Sequence, residues 1–143
     1  MFKNMKKRIK NEKGLTLIEL LAVIVILAII AAIAIPAIGN IIQNSRDKAV
    51  LSEAVNILSG AKIAHTEGAC DASSTDGCGS AVLNNYIDGV TLGEGEGEAS
   101  ATVTLDEDVW SIEYSRFGEI DDESAFDVDG DSIEEEDLTA LLD

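Results

Sequence analysis

Lys13-Gly14-Leu15-Thr16-Leu17-Ile18-Glu19-Leu20-Leu21 opens the stretch whose reading decides the fold. From Leu20 to Ile38 there are 19 residues with no charged or polar side chain. As a helix they cover about 28 Å, close to the ~30 Å hydrocarbon core of a bilayer. Six of the ten basic residues (Lys3, Lys6, Lys7, Arg8, Lys10, Lys13) precede the run, and positive charge holds that end in the cytoplasm. Outward from the run the charge reverses. The 143 residues carry 27 acids against 10 bases, a net charge of −17, and the acids crowd the last third. That balance excludes a polybasic nucleic-acid surface, while a 46% hydrophobic content argues against disorder throughout.

The apolar run alone fits a secretory signal peptide or a plain N-terminal anchor. Ala31-Ala32-Ile33-Ala34 supplies a small-x-small cleavage site, but the apolar region of a signal peptide usually spans about 7–15 residues. Neither reading accounts for Glu19. An unpaired acid near hydrocarbon costs about 2.5–3.5 kcal/mol on insertion scales, and the helix itself offers it no partner nearby. Lys13-Gly14, then Leu15-Thr16-Leu17-Ile18-Glu19, then a long apolar helix containing Pro36 resembles the type IV pilin and pseudopilin family over about the first 50 residues. The departure is Leu15, where phenylalanine is the commoner residue.

The resemblance implies a class III leader, residues 1–14, cut between Gly14 and Leu15 by a prepilin peptidase that also N-methylates Leu15. The cut leaves four basic and 26 acidic residues, a net charge of −22. It further implies self-assembly into a helical filament, with Glu19 of one subunit meeting the α-amine of its neighbour so that each offsets the other's desolvation. The reading beside it is an acid at the headgroup level. Pro36 removes one helical hydrogen bond and predicts a kink or local melting. With Gly39 it marks the stretch that related filaments unwind on assembly; the alternative is an ordinary membrane-helix proline satisfied by its neighbours.

Past Asn40 the pattern becomes amphipathic, with Val50, Ala54, Ile57, Leu58 and Ala61 at helical spacing. The helix is therefore predicted from Thr16 to Ala64, its apolar stripe packed on a sheet. The fold class is α+β: a long helix, membrane-spanning in its first half, on a small antiparallel sheet head, in the manner of a pilin lollipop. The segments are the leader 1–14, an assembly helix 15–42, its amphipathic continuation 43–64, and a head with an acidic tail, 65–143. In the head, Ala101–Leu105 and Trp110–Tyr114 alternate with period two around Asp106-Glu107-Asp108, a hairpin pattern. Trp110, Ile112 and Tyr114 should face the helix stripe. Gly93–Glu98 reads as a self-repelling loop.

Cys70 and Cys78 bracket loop composition after the helix. With the head outside the cytoplasm a disulfide is expected. A zinc site with His65, or a pair of free thiols, are the alternatives; His65 otherwise reads as a solvated residue at a helix end. From Asp121 to Asp143 there are eleven acids and no base. Asp127, Asp129 and Asp131 suggest a calcium loop, although glycine stands at its fourth position and Leu138 at its twelfth. The alternative is a turn into a short helix, with Ser132 and Glu135 at capping-box spacing and Ile133, Leu138, Leu141 and Leu142 docked on the head.

No nucleophile–base pair, phosphate loop or complete metal cage stands in the sequence, so the function is structural and not enzymatic, with no cofactor unless calcium binds. The partners implied by the resemblance are a prepilin peptidase, a membrane platform, other pilins, and membrane lipid before assembly. The N-terminus would be cytoplasmic and the C-terminus outside, in a single-pass membrane form that becomes a surface filament. The role would be adhesion or motility, DNA uptake, or secretion. The acidic head is not expected to bind nucleic acid directly. A non-assembling membrane-anchored surface protein, with or without bound calcium, is the alternative.

Overall fold

The computed structural model describes residues 16–93, 98–120, 126, 128 and 130–142. Gly14, Leu15 and most of the Gly-Glu loop lie outside them, as do Asp127 and Asp129. Helix α1 spans Leu17–Thr66 with Pro36 inside it; in the single chain the segment is helical, and unwinding on assembly is a separate expectation. One proline forfeits one amide bond, which the apolar turns on either side tolerate. The helix ends where Gly68 adopts a left-handed φ of 74°. The Gly68 and Ala69 amides donate to the carbonyls of His65 (3.0 Å) and Ala64 (2.8 Å). That pattern is a Schellman stop, which needs a residue without a Cβ at the turn.

The chain divides after Gly39 into two units. In the first, the side chains of α1 stand exposed on every face. In the second, Val50, Leu51, Ala54, Ile57, Leu58 and Ala61 are buried, as their spacing predicts. They join one core with Leu83, Val103, Ile112, Tyr114, Phe117 and Leu138. Each fully buried Leu or Ile contributes about 1.5–3 kcal/mol.

Four antiparallel strands form a sheet in the order β1 (Cys78–Gly79), β2 (Ala101–Asp106), β3 (Val109–Tyr114) and β4 (Ser132–Glu134). Helix α2 (Ser80–Leu83) follows β1, and α3 (Glu135–Ala140) follows β4. The predicted hairpin is β2–β3, with Val103 opposite Ile112 and Ala101 opposite Tyr114. Its turn residues, Glu107 and Asp108, take positive φ of 47° and 73°, the primed-turn geometry whose twist suits a two-residue hairpin. Ile112 and Tyr114 are buried as expected, whereas Trp110 is half-buried against the core rim.

Two short strands carry no sequence pattern. β1 pairs Cys78 with Val103, and β4 pairs Ile133 with Ile112. The second pairing corrects the capping-box expectation. Ser132 lies in a strand opposite Glu113, Glu134 caps α3, and that cap makes no side-chain hydrogen bond. The edge of β3 claims residues 132–134 for the sheet, and the helix starts after them. The docking expectation holds: Ile133 and Leu138 are buried, and Leu141 and Leu142 pack half-buried against the core.

Candidate functional site

At its N-terminus α1 presents Glu19 beside Thr16. The Glu19 amide donates to Thr16 Oγ1 (3.3 Å), while the Thr16 amide and hydroxyl donate to Glu19 Oε2 (3.5 and 3.4 Å). This is a reciprocal capping box, Thr-x-x-Glu. It corrects the expectation that the helix offers Glu19 no partner: the carboxylate takes up amide and hydroxyl donors of its own first turn. The bonds are long and exposed, so a full cation can replace them. From Leu17 (83% exposed) through Ile42 (48%), every large apolar side chain of this half is exposed. The helix is long and apolar enough to cross a membrane.

At the other end of α1 a second cluster closes the head. Cys70 and Cys78 form a disulfide with a Cα–Cα distance of 5.3 Å. Both the zinc and the free-thiol readings fall with it, because neither sulfur is a thiolate. His65 is not simply solvated either: its Nδ1 accepts the Ala72 amide (3.2 Å), and its ring meets Trp110 edge-on at 5.7 Å. Lys62 lies 5.5 Å from the centre of the same indole and pairs with Glu135 of α3. The helix end, the disulfide loop, β3 and α3 are thus tied together through one aromatic.

A third cluster joins α1 to β3 and to the 3-10 turn Ser115–Glu119. Tyr114 Oη donates to Glu53 Oε2 (2.9 Å), and the Arg116 guanidinium pairs with both Glu53 and Glu119. Burial pushes the Tyr114 phenol up to about 12, with the Glu53 carboxylate adding to it. Hydrogen bonding to Glu119 raises Arg116, and Arg116 in turn holds the Glu119 carboxyl below its ordinary value. No sequence pattern flags this cluster, because Glu53 lies some sixty residues from Tyr114 and Arg116.

Asp127 and Asp129 of the suggested calcium loop lie outside the described residues. Asp131 is exposed, and its backbone carbonyl accepts the Tyr114 amide (2.9 Å). Among the described residues no three His, Cys, Asp or Glu side chains are grouped as metal ligands.

Fold and helix define a class first: an α+β chain led by an apolar helix of membrane-spanning length. The N-terminal segment is more particular. Residues 9–35 match the family described as the prokaryotic N-terminal methylation motif, the prepilin-type signal of type IV pilins. The match takes in Gly14, Leu15 and Glu19, and ends one residue before Pro36. No curated protein and no solved structure matches the chain.

Proposed function

We propose that the protein is the structural subunit of a type IV pilus-like filament. A prepilin peptidase cuts after Gly14 and methylates the new α-amine of Leu15. The first half of α1 holds the subunit in the membrane, head outside. A membrane platform then transfers that half from lipid into a bundle of like helices. The observation that carries this reading is the all-round exposure of Leu17–Ile42 directly behind the methylation motif. Soluble monomers seldom expose apolar patches beyond about 300–600 Å², so this surface calls for lipid or for other copies.

Glu19 then has two successive partners. Before assembly it caps its own helix; in the filament it exchanges those long bonds for the α-amine of a neighbour, a full charge. Pro36 provides a place where the helix yields during packing. Adhesion or motility, DNA uptake and secretion all remain roles for such a filament. The test is Glu19→Ala in cells. Cleavage and membrane insertion should persist while surface filaments are lost. Normal filament yield would leave Glu19 as an interfacial cap, and absence of any filament from the unaltered chain would favour a membrane-anchored surface protein.

A further inference from the structure

Asp47 is the one charged residue buried among the described residues, at 1% exposure. Its Oδ1 accepts from Gln43 Nε2 (3.0 Å), while Oδ2 has no hydrogen-bond partner and is closed to water. Folded proteins rarely leave a buried acceptor so. Asp47 lines a cleft of about 460 Å³ together with Gln43, Arg46, Val50, Arg116 and Glu119. Arg116 is committed to Glu53 and to Glu119. Arg46 is exposed and forms no ion pair among the described residues. Behind the cleft wall Asp47 thus holds one unspent carboxylate oxygen, and the neighbouring Arg46 carries an unspent guanidinium.

Position along the helix supplies the second half of the argument. The apolar run of the sequence ends at Ile42, and the cleft's own residues, Gln43, Arg46 and Asp47, follow it directly. In a chain held in lipid by that run, the first polar residues after it meet the headgroups. Ile41 (67% exposed) and Ile42 (48%) precede it on the same helix, an apolar surface for an acyl chain.

We propose that the cleft binds a zwitterionic phospholipid headgroup bearing a primary amine, with its phosphate on Arg46 and its ammonium on Asp47. Gln43, half-buried and bonded to Asp47, swings aside to admit the ammonium. A trimethylated headgroup has no N–H to give Oδ2. A headgroup with phosphate alone brings no cation to the Asp47 carboxylate. The inference rests on the membrane reading above but needs no filament.

The test uses the full chain released from bilayers of equal phosphatidylethanolamine and phosphatidylcholine, with retained lipid counted by native mass spectrometry. The unaltered chain should retain phosphatidylethanolamine about tenfold over phosphatidylcholine, the scale of one charge-assisted hydrogen bond. Asp47→Asn should remove the preference, and Arg46→Gln should lower retention of both lipids while keeping their ratio. Equal retention by the unaltered chain, or a preference that survives Asp47→Asn, overturns the proposal. Because Arg46 is exposed, its variant decides the matter even where Asp47→Asn fails to fold: undiminished retention overturns it. Displacement of the lipid by soluble phosphoethanolamine at equal concentration overturns the commitment to lipid. A chain that retains the lipid yet never forms filaments keeps this inference and sinks the filament reading. A chain that fails to enter the bilayer sinks the membrane reading on which both rest.

Discussion

Ile24 and Leu51 belong to the same unbroken helix, yet Ile24 is 54% exposed and Leu51 is wholly buried. The residues around Ile24 are apolar on every face; those around Leu51 are apolar on one stripe, with Ser52, Asn56 and Ser59 on the exposed side. A helix with one stripe finds its partner within the chain, here the sheet β1–β4. A helix apolar all round has no partner of its own and must be completed from outside. On the proposed reading, the same backbone serves a folding task in one half and an assembly task in the other. Substitutions that are chemically alike should consequently fail in different ways.

The largest contrast should come from truncating the two halves identically. Leu51→Ala opens a cavity in the head core and should cost about 2–5 kcal/mol. Ile24→Ala should leave head melting unchanged and act, if anywhere, on insertion or filament yield. Thermal unfolding of the detergent-solubilised full chain separates them; a drop in head stability from Ile24→Ala would break the division of labour.

Next in size is the disulfide. Replacing Cys70 and Cys78 with serine should lower head stability by about 2–3 kcal/mol, as chain entropy predicts for so short a loop. The spectroscopic signature of the exposed half of α1 should not change. Loss of helix in both halves would show that they unfold together.

A somewhat smaller effect should appear in alkali. The Tyr114 phenol is raised by burial to about 12 from 10.0. A raised folded value means the stabilisation is complete below pH 10 and drains away as pH climbs to 12, on the order of 2–3 kcal/mol. Tyr114→Phe should flatten that decline while costing about 1 kcal/mol at neutral pH for the lost bond to Glu53. An alkaline transition unchanged in the variant would assign it to another group.

Smallest is the cap. Thr16→Ala removes one side of the reciprocal pair with Glu19 and should cost about 0.5–2 kcal/mol of local helix stability. Amide exchange at Leu17–Leu20 would speed up, while exchange in the head stays as it was.

Much of this architecture is legible in residues alone, because each pattern has a strong local cause. The apolar run, the stripe from Val50 to Ala61 and the alternation through β2 and β3 each repeat with the period of their element. β4 is not legible: Ile133 is a lone apolar residue in an acidic run, and only the open edge of β3 makes a strand of it. β1 is two residues fixed by its pairing with β2 and by the disulfide. Thr16 and Glu19 do stand at capping-box spacing, but their pairing joins a hydroxyl and an amide to a carboxylate, which no pattern of opposite charges marks. Asp47 reads as one more polar residue on an amphipathic helix. Its burial depends on what the fold lays across it, which no helical period encodes. The cluster of Glu53, Tyr114, Arg116 and Glu119 is likewise long-range, built by the sheet and not by spacing.

The claim on which the rest depends is that the exposed half of α1 is a processed assembly helix. The most direct measurement is the intact mass and N-terminal sequence of protein sheared from the cell surface. A chain that begins at Leu15, carries one added methyl on its α-amine and is recovered in filaments is the expected result. A chain that retains Met1–Gly14, or one cut near Ala34 so that the apolar run is gone, would contradict it.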